Sequence, residues 1–160
     1  MLINQPKQPP NMKTRTFIAL LVSAIIGSAV AAPPAPPQPT IDLERLLTVY
    51  ANLRNAEQMA TGRVVLSLDD VKTAASAMSL DELKKECGMS VDRTLTALSS
   101  GPADRRPETH GYLKNAALRL IYNREEKHGG HVAFAKDNKD KVSALIRKEA
   151  KEIKDALAKL

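Results

Sequence analysis

Five prolines fall within the seven residues Pro33 to Pro39, and no helix runs through such a block, because each proline fixes φ near about −65° and removes a backbone donor. The block divides the chain. Before it lies a 16-residue apolar run, Phe17 to Ala32, introduced by Lys13 and Arg15. Behind it lie the 121 residues from Thr40 to Leu160. Any fold must be built from the second part.

A basic lead-in, an apolar core shorter than the roughly 20 residues a spanning helix needs, and small residues at Ala29-Val30-Ala31 have the pattern of a secretory signal with an A-x-A cleavage site. Residues 1–31 are expected to be a signal peptide, in which 1–11 form an extended n-region or lie upstream of a true start at Met12. Residues 32–39 are expected to be an extended polyproline spacer, and 40–160 a single helical domain, close to the commonest domain size. The destination would be secreted or periplasmic. If peptidase leaves the run in place, the spacer instead holds the domain off a membrane, and membrane contact follows.

The leader also distorts the charge. The whole chain carries a formal +6, but Lys7, Lys13 and Arg15 precede Ala32 with no acid among them, so the remainder holds 21 basic and 18 acidic residues. A nearly balanced chain with only Tyr50, Tyr112, Tyr122 and Phe134 as aromatics lacks the interleaved cations and stacking rings of a single-strand nucleic-acid binder. No nucleic-acid partner is expected. The basic excess lies in residues 101–160, where the adjacent pair Arg105-Arg106 is the candidate contact for something anionic.

Apolar spacing from Thr40 onward is helical. Leu43, Leu46, Leu47, Tyr50 and Leu53 recur at intervals of three and four, with Arg45, Asn52, Arg54 and Asn55 between them, which predicts one buried stripe, one wet face and a stop at Gly62. Val64 to Leu66 is a strand-like run without a partner. Ser67 with Asp70 and Ser79 with Glu82 fit capping boxes, and Ser90 is a further N-cap candidate. Three short helices are therefore predicted, with Gly88 and Gly101 closing the second and third. A loop follows through Arg105-Arg106, then one helix from Pro107 to about His128 ended by Gly129-Gly130, and a last helix from about Asp137 to Leu160. The fold class is all-α, a small bundle of five or six helices.

Little in this pattern carries chemistry. Nucleophile-elbow, zinc-protease, phosphate-loop and dinucleotide motifs are absent, and no catalytic residue is assigned. The one cofactor the sequence leaves open is a divalent metal on Glu125, His128 and His131, which cluster around a glycine pair. His110 is set aside as a further ligand, because 18 residues of continuous helix would put it roughly 27 Å from His128. The alternative for the cluster is a helix end, with His128 facing the negative terminus. Cys87, the single cysteine, has no intrachain partner. It is either a small core residue at helical spacing from Leu80 and Leu83 or, in an oxidising compartment, an intermolecular disulfide. The function that fits best is an exported interaction module, an accessory subunit or inhibitor whose partner is another protein. A membrane-anchored structural envelope protein and a small metal-dependent or cysteine enzyme are the alternatives.

Overall fold

The first helix of the domain is buried on almost every side. In the computed structural model, which describes residues 41–160, α1 spans Leu43–Thr61 and packs against three other helices. The expected signal peptide and proline spacer lie outside the described residues. Asp42 caps α1 by accepting from the Arg45 N–H at 2.6 Å. Gly62 ends it at φ 73°, the left-handed conformation only glycine enters without penalty, and returns its N–H to the carbonyls of Gln58 and Met59. Leu46, Val49, Leu53, Ala56 and Ala60, spaced alternately by three and four, form the buried spine of the core.

Five more helices complete the described domain: α2 (Leu68–Ala75), α3 (Leu80–Ser100), α4 (Arg106–Ala117), α5 (His128–Asp137) and α6 (Val142–Leu157). Among the described residues there is no strand, and the all-α expectation of five or six helices is met by six. α1 packs on α2, α3 and α4; α4 packs on α5 and α6; and α6 returns to α3. α1 and α4 are thus the two members about which the rest are arranged.

The predicted wet face of α1 is not wet. Asn55 is buried, and its amide pairs with both backbone groups of Leu66, donating to the carbonyl at 3.0 Å and accepting from the N–H at 2.9 Å. The strand-like run therefore finds a side chain in place of a neighbouring strand, and Val64 stays 84% exposed. Arg45 reaches in the other direction and donates to the carbonyls of Arg119 and Leu120 at 2.6 and 2.5 Å.

α3 is one helix where two were expected. Its buried stripe, Leu83, Cys87, Val91, Thr94 and Leu98, continues without a shift through Gly88, and packing along that stripe outweighs the roughly 1 kcal/mol by which glycine disfavours a helix interior. Ser90 caps nothing. It is buried in mid-helix and donates its hydroxyl to Glu57 Oε2 at 3.0 Å, where Arg54 and Arg93 also converge. Gly101 does follow α3, in an extended conformation.

The two predicted capping boxes differ. At Ser79 both halves form, since Glu82 reaches back to the Ser79 N–H at 2.8 Å. At Ser67 the hydroxyl accepts from the Asp70 N–H, but the aspartate, one methylene shorter, reaches only that hydroxyl and not the backbone.

The largest correction concerns residues 107–137. α4 begins at Arg106 after a single 3-10 turn, Ala103–Arg105, and ends at Ala117. A π turn, Leu118–Tyr122, then loosens the helix, and Asn123 stops it in the left-handed region at φ 50°. Gly129 and Gly130 do not terminate anything. They sit in the first turn of α5, which ends at Asp137, and a 3-10 turn at Lys139–Lys141 leads into α6.

Two substitutions test this description. A Cβ built on Gly88 meets nothing within 4 Å, so Gly88→Ala should raise the unfolding free energy by about 0.5–1 kcal/mol, whereas a helix boundary at that position would make it neutral or harmful. Asn55→Ala should cost about 1–3 kcal/mol by stranding two backbone groups and should speed amide exchange at Leu66 more than in the spine of α1.

Candidate functional site

With the chain reversed at Asn123, α5 folds back along α4. Gly111 lets them approach: a Cβ there would lie 2.6 Å from His128 Cε1 and 2.9 Å from Val132 Cγ2. His128 stacks on Tyr112 with ring centroids 4.1 Å apart, and its Nε2 lies 3.3 Å from Glu108 Oε2. The next turn of α5 carries His131 and Phe134 over a cavity of about 530 Å³. Its walls come from His110 and Lys114 of α4, from Glu126 in the connection, and from Leu145, Lys148 and Glu149 of α6.

Of the buried side-chain polar atoms without a hydrogen-bond partner among the described residues, those of His110, His131 and Glu149 lie at this cavity, while Asn115 Oδ1 and His128 Nδ1 lie elsewhere. Both ring nitrogens of His110 are buried and lack an aligned hydrogen-bond partner among the described residues, although the His131 backbone lies near enough to the ring to oppose part of its pKa depression. Glu149 Oε1 lies 3.2 Å from Lys114 Nζ, while Oε2 has no partner, and its side chain is only 3% exposed. His131 Nε2 lies 3.4 Å from Glu126 Oε2 without the alignment of a hydrogen bond. Each buried group left unpaired costs on the order of 1–3 kcal/mol, so the space they share favours a hydrogen-bonding occupant, whether water or the polar group of a ligand.

The electrostatics run in opposite directions for acid and base. Burial, aided by the positive fields of His131 and Lys114, lowers the pKa of His110 from 6.5 to about 4. Burial also lowers that of His131, against the pull of Glu126. Burial raises that of Glu149, against the opposing effect of Lys114. At neutral pH the wall therefore offers neutral imidazoles, able to donate and accept, beside a carboxyl group held by one ammonium.

The residues singled out from sequence are distributed differently. Of the candidate metal ligands, Glu125 pairs with Arg119 and His128 lies against Glu108, while His131 has Glu126 as its nearest acid without a hydrogen bond. Among the described residues no three His, Cys, Asp or Glu side chains are grouped to hold a metal ion. His110, set aside because one helix was expected to separate it from His128, instead shares a cavity with His131. Cys87 is fully buried in the core between Leu83 and Val91. Arg105 and Arg106 part company. The Arg105 guanidinium lies against Gly62 at the end of α1, and Arg106 donates to Ser143 Oγ at 2.9 Å.

Sequence reasoning passed over Lys114 and Glu149. A signal existed for the second: Glu149 follows Ile146 by three residues and precedes Ile153 by four, which puts an acid on the buried face of α6.

No family model, curated protein or solved structure matches the chain.

The shifted His110 makes stability depend on pH with a defined sign. The unfolded chain binds a proton near pH 6.5 that the folded chain refuses until about pH 4, so folding weakens as pH falls through that window. Glu149 acts oppositely, because a raised carboxyl pKa costs stability as pH rises past its ordinary value. The His110 ring resonance should titrate near 4 by NMR. His110→Gln should remove about 1–2 kcal/mol of the stability lost between pH 7 and pH 5 in urea unfolding.

Proposed function

We propose that this protein is an exported helical module, secreted or periplasmic, that acts by binding another protein as an accessory subunit or inhibitor, and that the partner docks at the rim of the α4, α5 and α6 cavity. The observation that carries this reading is Phe134. It is 53% exposed at the edge of a cavity walled by unpaired polar groups. An aromatic anchor beside a pocket that asks for hydrogen bonds is the usual composition of an interface hot spot, in which an inserted polar side chain satisfies the pocket and the ring covers it.

The alternative readings have less support. A cysteine enzyme needs a thiolate, and burial pushes the Cys87 thiol up to about 12, which leaves it protonated at neutral pH. A metal-dependent enzyme would require Glu125 and His128 to leave Arg119 and Glu108 and to join His131. The anchored structural protein turns on residues 17–32, and intact-mass measurement of the cell-envelope fraction distinguishes it, since cleavage after Ala31 removes the anchor.

A photo-crosslinking residue at Phe134, with the same residue at exposed Lys85 on α3 as control, tests the docking surface in the producing cell. The expected result is one discrete adduct from position 134, absent from position 85 and reduced at least about tenfold by Glu149→Leu or Lys114→Glu, with helical content unchanged. Equal adducts at both positions, or none at 134, would remove the reading.

A further inference from the structure

A second cavity, of about 430 Å³, opens between the C-terminal half of α3, the start of α4 and the first turns of α6. Leu95, Leu98 and Ile146 give it an apolar floor, and Arg106 and Arg147 stand among its lining residues with two serine hydroxyls. We propose that this cleft binds a single-chain amphiphilic carboxylate, its tail on the leucine and isoleucine floor and its head group between the two guanidinium groups.

Charge complementarity selects the head. Among the described residues no acid lines the cleft, although acids are abundant elsewhere on the described surface. The arginines that pair with carboxylates among the described residues are Arg54, Arg93, Arg119 and Arg124; Arg106 and Arg147 are not among them. Arg106 is nevertheless half-buried and fixed in place, because one of its five N–H donors is engaged by Ser143 Oγ at 2.9 Å. The remaining donors of a positioned, planar fork match a planar carboxylate bidentately. Ser143 and Arg147 are four residues apart on α6 and thus stand on one face, one turn from each other, so the second cation belongs to the same rim as the first.

Size and polarity select the tail. The volume falls within the roughly 300–1,000 Å³ of small-molecule sites, and the floor offers no polar group for a sugar or a base to pair with. A free inorganic anion would leave the apolar floor without an occupant.

The test uses the full chain, uniformly labelled with nitrogen-15, and monomeric decanoate below its critical micelle concentration. Decanoate should give saturable NMR shifts at Leu95, Leu98, Arg106, Ser143 and Ile146. Decyltrimethylammonium, with the same tail and the opposite charge, should give none, and acetate should bind at least about tenfold more weakly. Arg147→Gln, at an exposed position that leaves the fold intact, should weaken decanoate about tenfold, and Arg106→Gln at least as much. Equal binding of the cationic amphiphile, indifference to Arg147→Gln, or shifts produced only by phosphatidylglycerol vesicles and not by decanoate would overturn the proposal, the last by making the surface a membrane contact.

Discussion

Arg45 is the side chain through which the two central helices are locked together. Its guanidinium donates to the carbonyls of Arg119 and Leu120, and these belong to the π turn at the end of α4. A helix that loosens into a π turn and stops leaves carbonyls without helical partners, and a cation at a helix C-terminus meets both that need and the negative end of the dipole. Because the donor comes from the first turn of α1, the end of α4 is set by a residue more than seventy positions upstream.

The placement of α5 follows. Had α4 continued to His128, His110 would have been held a rod's length from His128 and the residues after it, His131 included. The turn at Asn123 instead folds α5 onto α4 at Gly111. It also leaves the charged connection Arg124 to Lys127 at the surface, where Glu126 reaches the edge of the polar cavity. The cavity is thus a consequence of where α4 stops, and three successive elements contribute its walls.

This dependence explains what was legible in the sequence and what was not. The buried stripe of α1, its stop at Gly62 and the Ser79 cap are local: spacing, a left-handed glycine and a cap oxygen suffice to specify them, and the structure has them where the sequence places them. Gly88 and the pair Gly129-Gly130 were read as breaks because glycine is a poor helix former, but the decision was made by the continuous stripe on either side of Gly88 and by the packing of His128 and Val132 against Gly111. Ser90, Asn55 and Arg45 look like surface or capping residues in sequence. They are instead long-range partners of Glu57, Leu66 and the end of α4, and no local pattern announces a partner eleven, thirty-three or seventy-four residues away. The candidate site suffered most. Its histidines were visible, but which of them meet depends on the reversal at Asn123.

α5 is also the helix least able to stand by itself. Its first turn holds two glycines, each disfavoured by about 1 kcal/mol relative to alanine, and its N-cap residue, Lys127, supplies no side-chain hydrogen bond. At ten residues it falls below the roughly 12–15 at which isolated helices become even marginally stable in water. What holds it is tertiary: the Tyr112–His128 stack, the burial of Val132 and Ala135, and the approach permitted by Gly111. Two features that face the polar cavity, His131 and Phe134, ride on this helix, whereas His110, Lys114 and Glu149 belong to better-packed neighbours. One wall of the site is therefore of low local stability against two that are firm, and elements that bind or move are drawn from the low-stability end of a fold. A group hydrogen-bonded to His131 and Glu149 together would tie α5 to α6 directly, and by linkage its binding would add to the stability of α5.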